Sequence, residues 1–451
     1  MSDIIAAIAT GRAPCAIGIL RLSGPGCAAL TGRVFTPKQP FADAPDRRLV
    51  LGLLHDRQGR VIDECLGVVC RAPHSYTGEE TVELQCHGSP AMLAAGLESL
   101  LAAGARQAGP GEFTRRAFLN GKLDLTQAEA VVDLIDAETA DAAANAAGQL
   151  GGALKRAIGP VYDGLTDLCS HFHAVLDYPD EDIEDFGAAE LSGALDRAGV
   201  ALRELLATYE KGRHLRQGVR AVLLGKPNAG KSSLLNRLAG YDRVIVTDIA
   251  GTTRDTVEEP VRVGRVLLRL TDTAGIREAG DAIEALGVAR SEQAAREAEL
   301  ALFVCDASQP LTDEDRRAIE AAKCAPRSLA LCNKSDLPAA VSPDELPFDT
   351  VLTVSARTGA GLDALPAVLE GWFLGENACD GSLLTNPRQF GALDRASRAI
   401  ERAKTGLCLG VTPDAVLTDV EEAMAALGEV TGRTVREDIT NRIFERFCVG
   451  K

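Results

Sequence analysis

The sequence has few aromatic residues and no excess of positive charge. Phe, Trp and Tyr make up 4% of the 451 residues, with a single Trp, so a long platform for stacking nucleic-acid bases is not expected. Lys and Arg total 48 against 64 Asp and Glu, which gives a net charge of −16. Because phosphate binding relies on Lys and Arg, this composition argues against a protein that wraps nucleic acid over its whole surface.

The sequence also lacks long apolar runs and paired metal-binding motifs. No apolar run approaches the ~20 residues that span a bilayer, so no membrane contact is expected. The first residues, MSDIIAAIATGR, place no basic region before an apolar core, unlike a secretory signal. The twelve cysteines are scattered, with no CxxC pair and no Cys/His group at zinc spacing. These features predict a cytoplasmic protein with reduced thiols.

Three kinds of pattern follow one another along the chain. Residues 1–119 alternate short branched-rich runs with a helical stretch, which predicts an α+β domain. Residues 120–213 and 377–451 show the three- and four-residue apolar spacing of amphipathic helices. Residues 214–376 contain continuous apolar runs separated by helical stretches, as in a parallel sheet covered on both faces. The predicted strands are 16–22, 49–54, 65–70, 81–86, 219–224, 266–271, 300–305, 328–332 and 351–354, and the first predicted helix is 90–103.

This organisation predicts a multidomain α+β and α/β fold. An N-terminal α+β domain would occupy residues 1–119, and an all-α helical domain would be built from residues 120–213 and 377–451. An α/β domain at residues 214–376 would be inserted between the two halves of the helical domain. Most of the negative charge falls in one place, because residues 120–213 hold 18 acidic and 7 basic side chains.

A phosphate-binding loop is predicted at residues 225–232. The letters GKPNAGKS match G-x-x-x-x-G-K-[ST] between an apolar run and a helical stretch. In such a loop the backbone N–H groups and the helix N-terminus hold the phosphates. Lys231 would reach the β- and γ-phosphates, and Ser232 would bind Mg²⁺. Taken alone, the motif leaves a chance glycine-rich turn as the alternative.

Three further motifs at predicted strand ends indicate that the nucleotide is GTP. The DTAG letters at 272–275 supply an acidic partner for Mg²⁺ and a glycine near the γ-phosphate. The NKSD letters at 333–336 supply a carboxylate that accepts two hydrogen bonds from guanine, and SAR at 355–357 supports the guanine oxygen. Ligands at strand carboxyl ends are typical of a Ras-like α/β P-loop GTPase domain. The candidate GTP-binding residues are Asn228, Ala229, Gly230, Lys231, Ser232, Ser233, Thr247, Asp248, Ile249, Ala250, Gly251, Thr252, Thr253, Asp272, Thr273, Ala274, Gly275, Asn333, Lys334, Ser335, Asp336, Ser355, Ala356 and Arg357.

The catalytic loops differ from those of an ordinary small GTPase. Ile276 follows the DTAG letters, where a Ras-type enzyme has the glutamine that orients water. A branched alkyl side chain cannot orient water, so hydrolysis needs another group. Thr253 in the loop 247–255 is placed to be the second Mg²⁺ ligand beside Ser232.

Together these motifs resemble the MnmE (TrmE) family of tRNA-modification GTPases. The resemblance rests on G-x-P-N-x-G-K-S at 225–232, T-D-x-x-G-T-T-R-D at 247–255, DTAGIRE at 272–278 and CVGK at 448–451. It continues upstream and covers essentially the full chain. The upstream segments are GILRLS at 18–23, YTGE at 76–79, PGEFTRRAFLN at 110–120 and KLDLTQAEA at 122–130. Ribosome-assembly GTPases share the central motifs but lack these flanks.

The resemblance implies a K⁺-stimulated GTPase that hydrolyses GTP when two G domains of a homodimer meet. The family's K⁺ ligands correspond to Asn228, Thr247, Ile249 and Thr252. The ion would stand where other GTPases place an arginine finger.

The resemblance also implies how the attacking water is held. The family's water-positioning glutamate corresponds to Glu284, although a solvated acidic turn is the simpler interpretation of that segment. Arg254 and Asp255 are expected to act in closure of the loop around the nucleotide.

A second set of residues resembles the family's folate site. Arg21, Glu83, Lys122 and Lys451 fall on its tetrahydrofolate contacts, which implies a 5-formyl- or methylene-tetrahydrofolate cofactor. Each of these residues alone could be a surface charge. Cys448 corresponds to a cysteine needed for uridine modification rather than for GTP hydrolysis, with a buried or idle cysteine as the alternative.

The implied function is tRNA modification with a flavoprotein partner, MnmG (GidA), in a heterotetramer-type complex. The pair would form 5-carboxymethylaminomethyl or aminomethyl uridine at the tRNA wobble position from a one-carbon folate. Two other hypotheses remain: a ribosome-assembly switch GTPase, and a folate-dependent aminomethyl transferase with a regulatory GTPase insert. We expect tRNA to avoid the acidic segment 120–213.

Overall fold

The structure is a computed structural model, and two compact units make up the fold. It describes residues 3–11, 13–38, 44–177, 188–241, 258–271, 292–375, 380–433, 443–445 and 447–450. The first unit comprises Met1–Val132, Gln149–Gly199 and Arg395–Lys451, and the second comprises Asp133–Gly148 and Val200–Asp394. The predicted fold class is confirmed, whereas the three domain boundaries stay a prediction.

The first unit contains a seven-stranded sheet covered by a helix. The paired strands run antiparallel except for β1 and β7, which are parallel. Helix α2 (Pro90–Ala102) buries Leu93 and Leu100 with the apolar side chains of the sheet. Helices α1 (Cys27–Thr31) and α3 (Glu112–Leu119) complete this part of the unit. The strands are β1 (Ile5–Ile8), β2 (Cys15–Ser23), β3 (Phe35–Pro37), β4 (Val50–His55), β5 (Val61–Cys70), β6 (Thr81–Gly88) and β7 (Arg106–Gln107), in the order β3-β4-β5-β6-β2-β1-β7.

Helices dominate the next part of the chain, as the apolar spacing predicted. Ala, Leu and acidic residues fill these segments, and such residues lose little side-chain freedom in a helix. Five helices occupy the described part of this region: α4 (Leu125–Ile135), α5 (Ala140–Leu150), α6 (Ala153–Asp177), α7 (Ala188–Ala207) and α8 (Tyr209–Gln217).

The second unit is built on a six-stranded sheet with five parallel strands. Strand β9 is the exception and pairs antiparallel with β10 at the edge. Every residue of β11 is buried, as expected for a strand covered on both faces. The strands are β8 (Val219–Leu224), β9 (Glu258–Val263), β10 (Val266–Thr271), β11 (Leu300–Asp306), β12 (Arg327–Asn333) and β13 (Val351–Thr353), in the order β13-β12-β11-β8-β10-β9, with helices α9 (Lys231–Tyr241), α10 (Asp313–Ala322) and α11 (Ala364–Phe373).

The chain ends in further helices, α12 (Pro387–Cys408) and α13 (Pro413–Thr431). Helix α13 packs against α6 in the first unit, where Cys169 Sγ lies 3.3 Å from Met424 Sδ. Segments far apart in sequence thus pack together, whereas the discontinuous helical domain stays a prediction. Across the described ranges, no helix is both long and apolar enough to cross a membrane.

A half-buried carboxylate joins three elements of the second unit. Glu299, just before β11, accepts hydrogen bonds from His214 Nε2 at 3.1 Å and from the Arg220 backbone N–H at 3.2 Å, and it pairs with Arg213. Burial alone would raise the pKa of Glu299, but these hydrogen bonds lower it to about 2. The charged form therefore stabilises the packing of α8 against the sheet.

This network predicts a specific loss of stability in acid. Because the folded-state pKa of Glu299 lies below the usual 4.5, its stabilisation is complete above that pH and declines as the pH falls toward 2. Between about pH 6 and pH 3, the free energy of unfolding should fall by about 2 kcal/mol more in the wild type than in Glu299→Gln. Urea unfolding at each pH measures this difference. The exposed neighbour Glu297→Gln is the control, and a wild-type profile in Glu299→Gln would contradict the prediction.

Candidate functional site

The phosphate-binding loop connects β8 to α9, as the motif predicted. Gly225 and Gly230 have backbone φ angles of 145° and 98°, a region that favours glycine. A Cβ at Gly225 would lie 2.1 Å from the Val304 carbonyl oxygen, and a Cβ at Gly230 would lie 2.1 Å from Asn333 Nδ2. The two glycines therefore let the loop pass close to β11 and β12, and the chance-turn alternative does not hold.

Two lysines fix the loop from opposite directions. Lys231 Nζ donates to the carbonyl oxygens of Gly225 at 2.8 Å and Lys226 at 2.9 Å, so its charge lies over the loop. Lys226 Nζ lies 2.8 Å from Asp315 Oδ2, a fully buried carboxylate in the first turn of α10. Asp315 Oδ2 also accepts from the Thr312 hydroxyl at 2.8 Å. The loop is thereby tied to a neighbouring helix at its start and closed by its own lysine at its end.

Asn333 joins three of the predicted motifs. Its Nδ2 donates to the Ala229 carbonyl oxygen at 2.9 Å, and its Oδ1 accepts from the Ala356 backbone N–H at 2.9 Å. The side chain is 2% exposed, so these hydrogen bonds are shielded from water. Asn333 thus holds the phosphate loop, the NKSD segment and the SAR segment in a fixed arrangement.

Asp336 presents a carboxylate beside this junction. Its Oδ1 accepts a hydrogen bond from the Ser355 hydroxyl at 2.6 Å, and Arg357 Nη1 lies 3.8 Å from Oδ2. The Ser355 hydroxyl lowers the pKa of Asp336, so the group is ionised near neutral pH. An ionised carboxylate is an acceptor only, which is what the adjacent N1–H and exocyclic amine donors of guanine require.

The structure also brings to this site Asp306, Asp313 and Asp315, which the sequence analysis missed. The predicted residue Lys334 forms an ion pair with Asp306 at the carboxyl end of β11, with 2.6 Å between Lys334 Nζ and Asp306 Oδ2. Asp306, Asp313 and Lys334 help line a cavity of about 550 Å³ beside residues 226–228. The signal for Asp306 was its place at the end of a predicted strand. The signal for Asp315 was the T-x-x-D spacing of a capping box, which the structure contains.

The close approach at Gly225 predicts a large effect of a single methyl group. Gly225→Ala should destabilise the second unit and abolish nucleotide binding, because the Cβ would overlap the Val304 carbonyl oxygen. Thermal unfolding with and without GTP measures both effects. Gly371→Ala is the matched control, since no atom lies within 4 Å of its Cβ and alanine favours a helix by about 1 kcal/mol. Equal behaviour of the two variants would contradict the prediction.

A second group of predicted residues lies on the sheet of the first unit. Arg21 in β2 is directly opposite Glu83 in β6, and Arg21 Nε lies 2.8 Å from Glu83 Oε1. The Arg21 guanidinium also lies 5.4 Å from the Tyr76 ring centre and 5.7 Å from that of Phe113. This arrangement combines a cation, a carboxylate and aromatic side chains, which can bind a flat, polar ring system.

The end of the chain reaches this group. Arg21 Nη1 donates to the Gly450 carbonyl oxygen at 3.3 Å, and Val449 pairs with Pro110. The Cys448 carbonyl oxygen accepts from the Gly111 N–H at 3.3 Å, while the cysteine itself is exposed. Cys448 is therefore not buried, and its role in modification stays a prediction, with an idle cysteine as the alternative.

Lys122 packs against the loop that carries Tyr76, one of the aromatic residues beside Arg21. Its Nζ donates to the Pro73 carbonyl oxygen at 3.2 Å, and a Cβ at Gly78 would lie 3.2 Å from Lys122 Cγ. Lys122 therefore packs on the loop that contains Tyr76, whose hydroxyl lies 2.8 Å from Thr114 Oγ1. Arg21 pairs with Glu83 and lies near Tyr76, and Lys122 packs against the loop that carries Tyr76. The assignment of these residues to a folate site stays a prediction.

Several predicted site residues lie outside the described residues. For the nucleotide site, these are Thr247, Asp248, Ile249, Ala250, Gly251, Thr252, Thr253, Arg254, Asp255, Asp272, Thr273, Ala274, Gly275 and Glu284. For the folate site, this is Lys451. Their roles stay predictions.

Comparison with known proteins gives matches along the whole chain. The family model described as the MnmE helical domain matches residues 125–448, and the model of the GTP-binding protein TrmE N-terminus matches residues 4–122. A protein of Roseiflexus sp. (strain RS-1) named tRNA modification GTPase MnmE is 45% identical and covers 100% of this chain and 99% of its own length. Relatives of the same name from Symbiobacterium thermophilum and Aquifex aeolicus are 44% and 41% identical, also over 100% of this chain, at 99% and 100% of their own lengths.

Proposed function

Because the chain belongs to the MnmE family of tRNA modification GTPases, we propose that it modifies the wobble uridine of tRNA at its first unit under the control of GTP hydrolysis at its second. The product would be 5-carboxymethylaminomethyl or aminomethyl uridine, formed by a cytoplasmic homodimer together with the flavoprotein MnmG (GidA). The observation that carries the proposal is the contact of Arg21 with the tail that bears Cys448.

This contact supports a modification site that is chemically distinct from the nucleotide site. Arg21 and Glu83 offer a cation and a carboxylate side by side, at 17% and 28% side-chain exposure. Such a pair fits a reduced folate, since Glu83 can accept from the pterin ring and Arg21 or Lys122 can bind a glutamyl carboxylate. Lys451 would complete this set. When bound, the folate would supply a one-carbon unit.

The residues of the first unit would then orient the reactants. Arg21 contacts both the Tyr76 ring and the chain end, which would place the exposed thiol of Cys448 beside the folate. An exposed cysteine can act as a nucleophile or a proton donor, and a buried one cannot. The positive charges of Arg21 and Lys122 would also attract tRNA phosphate toward the nearly neutral N-terminal residues 1–119 rather than to the acidic helices of the segment 120–213.

We propose that the nucleotide site also binds Mg²⁺ and K⁺. Ser232 is exposed at the N-terminus of α9, where its hydroxyl can bind Mg²⁺ beside the phosphates, and Thr253 would be the second ligand. Asn228 is exposed and lines the cavity next to the loop. We place it with Thr247, Ile249 and Thr252 as the K⁺ ligand set. Bound K⁺ would add positive charge beside the phosphates, and Glu284 would hold the attacking water.

The direct test measures the modification of the wobble uridine in tRNA from a strain in which the gene for this protein is deleted. Nucleoside mass spectrometry should find the C5 modification absent after deletion and restored by the wild-type gene. Unchanged modification in the deletion strain would contradict the proposal and favour a ribosome-assembly switch. Modification by the purified chain without a flavoprotein would favour a folate-dependent aminomethyl transferase instead.

The K⁺ assignment predicts an ion-dependent hydrolysis rate. GTP hydrolysis in KCl should exceed that in NaCl at equal ionic strength by about tenfold or more, because the ion would replace an arginine finger worth at least this factor. Release of phosphate at saturating GTP measures both rates. Asn228→Ala should reduce the difference between the salts. Equal rates in the two salts would remove the proposed K⁺ site while leaving the GTP site intact.

A further inference from the structure

Two buried cysteines and one carboxylate lie close together where β5 pairs with β6 in the sheet of the first unit. Asp63 and Cys65 are two residues apart on β5, so their side chains lie on the same face. Cys86 follows Gln85 on β6, and Gln85 pairs with Leu66, which follows Cys65. The pairing of β5 with β6 thus brings Cys86 opposite Cys65, although the two cysteines are far apart in sequence.

The three side chains are close enough to share one ion. One carboxylate oxygen of Asp63 and the Sγ atoms of Cys65 and Cys86 all lie within 4.8 Å of one another. Both cysteines are 3% exposed, and the Asp63 side chain is 7% exposed. Both thiols are free. A tetrahedral ion with ligands at about 2.0–2.3 Å would place its ligand atoms at a mutual spacing of this order.

His87 holds the carboxylate in place from the edge of the cluster. Its backbone N–H donates to Asp63 Oδ2 at 2.8 Å, and its Nδ1 lies 2.7 Å from Asp63 Oδ1. Metal-binding carboxylates are commonly hydrogen-bonded in this way, which fixes the direction of the remaining lone pairs. His87 itself is largely exposed, so its ring adds little to the core.

A simple packing role does not explain the carboxylate. Cys65 and Cys86 belong to the apolar core beneath α2, together with Leu84 and Leu93. Buried cysteines often act as small apolar residues. The two hydrogen bonds from His87 compensate part of the cost of shielding the Asp63 carboxylate from water, but they do not account for a carboxylate oxygen within 4.8 Å of both Sγ atoms. A divalent ion would bind this oxygen together with the two thiols as thiolates.

We propose that Asp63, Cys65 and Cys86 form a binding site for a thiophilic divalent metal ion of the Zn²⁺ type, with His87 as the residue that positions Asp63. Two sulfur ligands select Zn²⁺ over Mg²⁺ and Ca²⁺, which prefer oxygen. A water molecule would fill the fourth position. Binding would release the thiol protons to solvent, so the affinity should rise with pH.

The site would reinforce the strand that carries Glu83. The ion would link β5 to β6, and its ligand Cys86 is three residues from Glu83 along β6. It would therefore raise the thermal stability of the first unit. It requires neither GTP nor tRNA, and its test is independent of the proposed function.

Metal binding by the full-length chain tests the proposal. The protein is purified under reducing conditions, stripped with a chelator and titrated with Co²⁺ and then Zn²⁺. We expect about one ion per chain and a thiolate-to-cobalt charge-transfer band that Zn²⁺ abolishes and Mg²⁺ does not. Cys65→Ala and Cys86→Ala should each lose the band. Asp63→Asn and His87→Ala should weaken Zn²⁺ binding by about 10- to 100-fold.

Cys70→Ala is the matched control, because Cys70 is on the same strand and is only partly buried. It should bind the metal like the wild type. Absence of the charge-transfer band in the stripped wild type, or its persistence in Cys86→Ala, would overturn the proposal. A disulfide between Cys65 and Cys86 in the purified protein, found by counting thiols before and after reduction, would overturn it as well. Asp63→Asn lies at the edge of the core, so it keeps the test valid if a cysteine variant fails to fold.

Discussion

Asp336→Asn should lower the affinity for GTP by at least about 100-fold and create affinity for xanthosine triphosphate. The carboxylate would accept two hydrogen bonds from guanine, and hydrogen bonds to a charged group contribute about 1.5–3 kcal/mol each. Asparagine keeps the shape of the side chain but presents an amide donor, which repels the exocyclic amine of guanine. Xanthine has a carbonyl oxygen at that position, and the amide can donate to it.

Two features of the structure make this prediction specific. The Ser355 hydroxyl fixes Asp336 at 2.6 Å, so the side chain is oriented before the base arrives. Asn333 is buried and holds the neighbouring loops, so it maintains the site when Asp336 is changed. Ser355→Ala should therefore lower GTP affinity less, by about tenfold, because it removes only the hydrogen bond that orients the charged carboxylate, which contributes about 1.5 kcal/mol.

Equilibrium titration with fluorescent GTP and with the xanthosine analogue measures both effects. Asp344→Asn removes the same charge from an exposed position in the same unit, and it should bind GTP like the wild type. Unchanged GTP affinity in Asp336→Asn would show that the base is bound elsewhere. Loss of both nucleotides with loss of thermal stability would instead indicate a folding defect.

Cys448→Ser should abolish uridine modification while GTP hydrolysis continues at the wild-type rate. The thiol is exposed on a tail that contacts Arg21, in a unit that does not contain the phosphate-binding loop. Serine is close in size and keeps the backbone contacts with Gly111 and Pro110, but its hydroxyl ionises far less readily than a thiol. We expect the modified nucleoside to fall by at least about 100-fold, in line with the loss of a nucleophile or a proton donor.

The two activities are measured on the same variant. Nucleoside analysis of tRNA from the complemented deletion strain reports modification, and phosphate release from the purified chain reports hydrolysis. Cys408→Ser is the matched control, since Cys408 is an exposed cysteine at the end of α12 in the same unit. Wild-type modification in Cys448→Ser would remove the thiol from the mechanism. An equal loss of hydrolysis would show that the two sites are not separable.

The regular elements of both sheets could largely be predicted from the sequence. The runs at 219–224, 266–271 and 300–305 are strands in the structure because continuous apolar residues are stable only where both faces are covered. Strands β1, β3 and β7 were missed. Strand β9 was also missed, since its EEPVRV sequence mixes charged residues and Pro260 with valine. It is stabilised as an edge strand by pairing with β10, and no local pattern reports that pairing.

The candidate sites likewise include residues that the sequence could predict and residues that it could not. The phosphate loop could be predicted because its chemistry lies in eight consecutive residues between a strand and a helix. The spacing of Thr312 and Asp315 indicates a helix cap, but the contact of Asp315 with the phosphate loop could not be predicted, because its partner Lys226 is 89 positions away. The sequence analysis found no cysteine group at zinc spacing, and the Asp63, Cys65 and Cys86 cluster exists only because β5 pairs with β6.

The sequence by itself determined the identity of the nucleotide-binding motifs, the order of the strands and helices, and the separation of an acidic helical segment from a nearly neutral N-terminal one. These properties depend on residues within a few positions of one another, where backbone geometry and side-chain chemistry act locally. Only the tertiary structure decided that the chain end contacts Arg21 and that Asn333 joins three loops. Such contacts depend on chain closure over long separations, which is driven by burial of a shared core and leaves no periodic signal in the sequence.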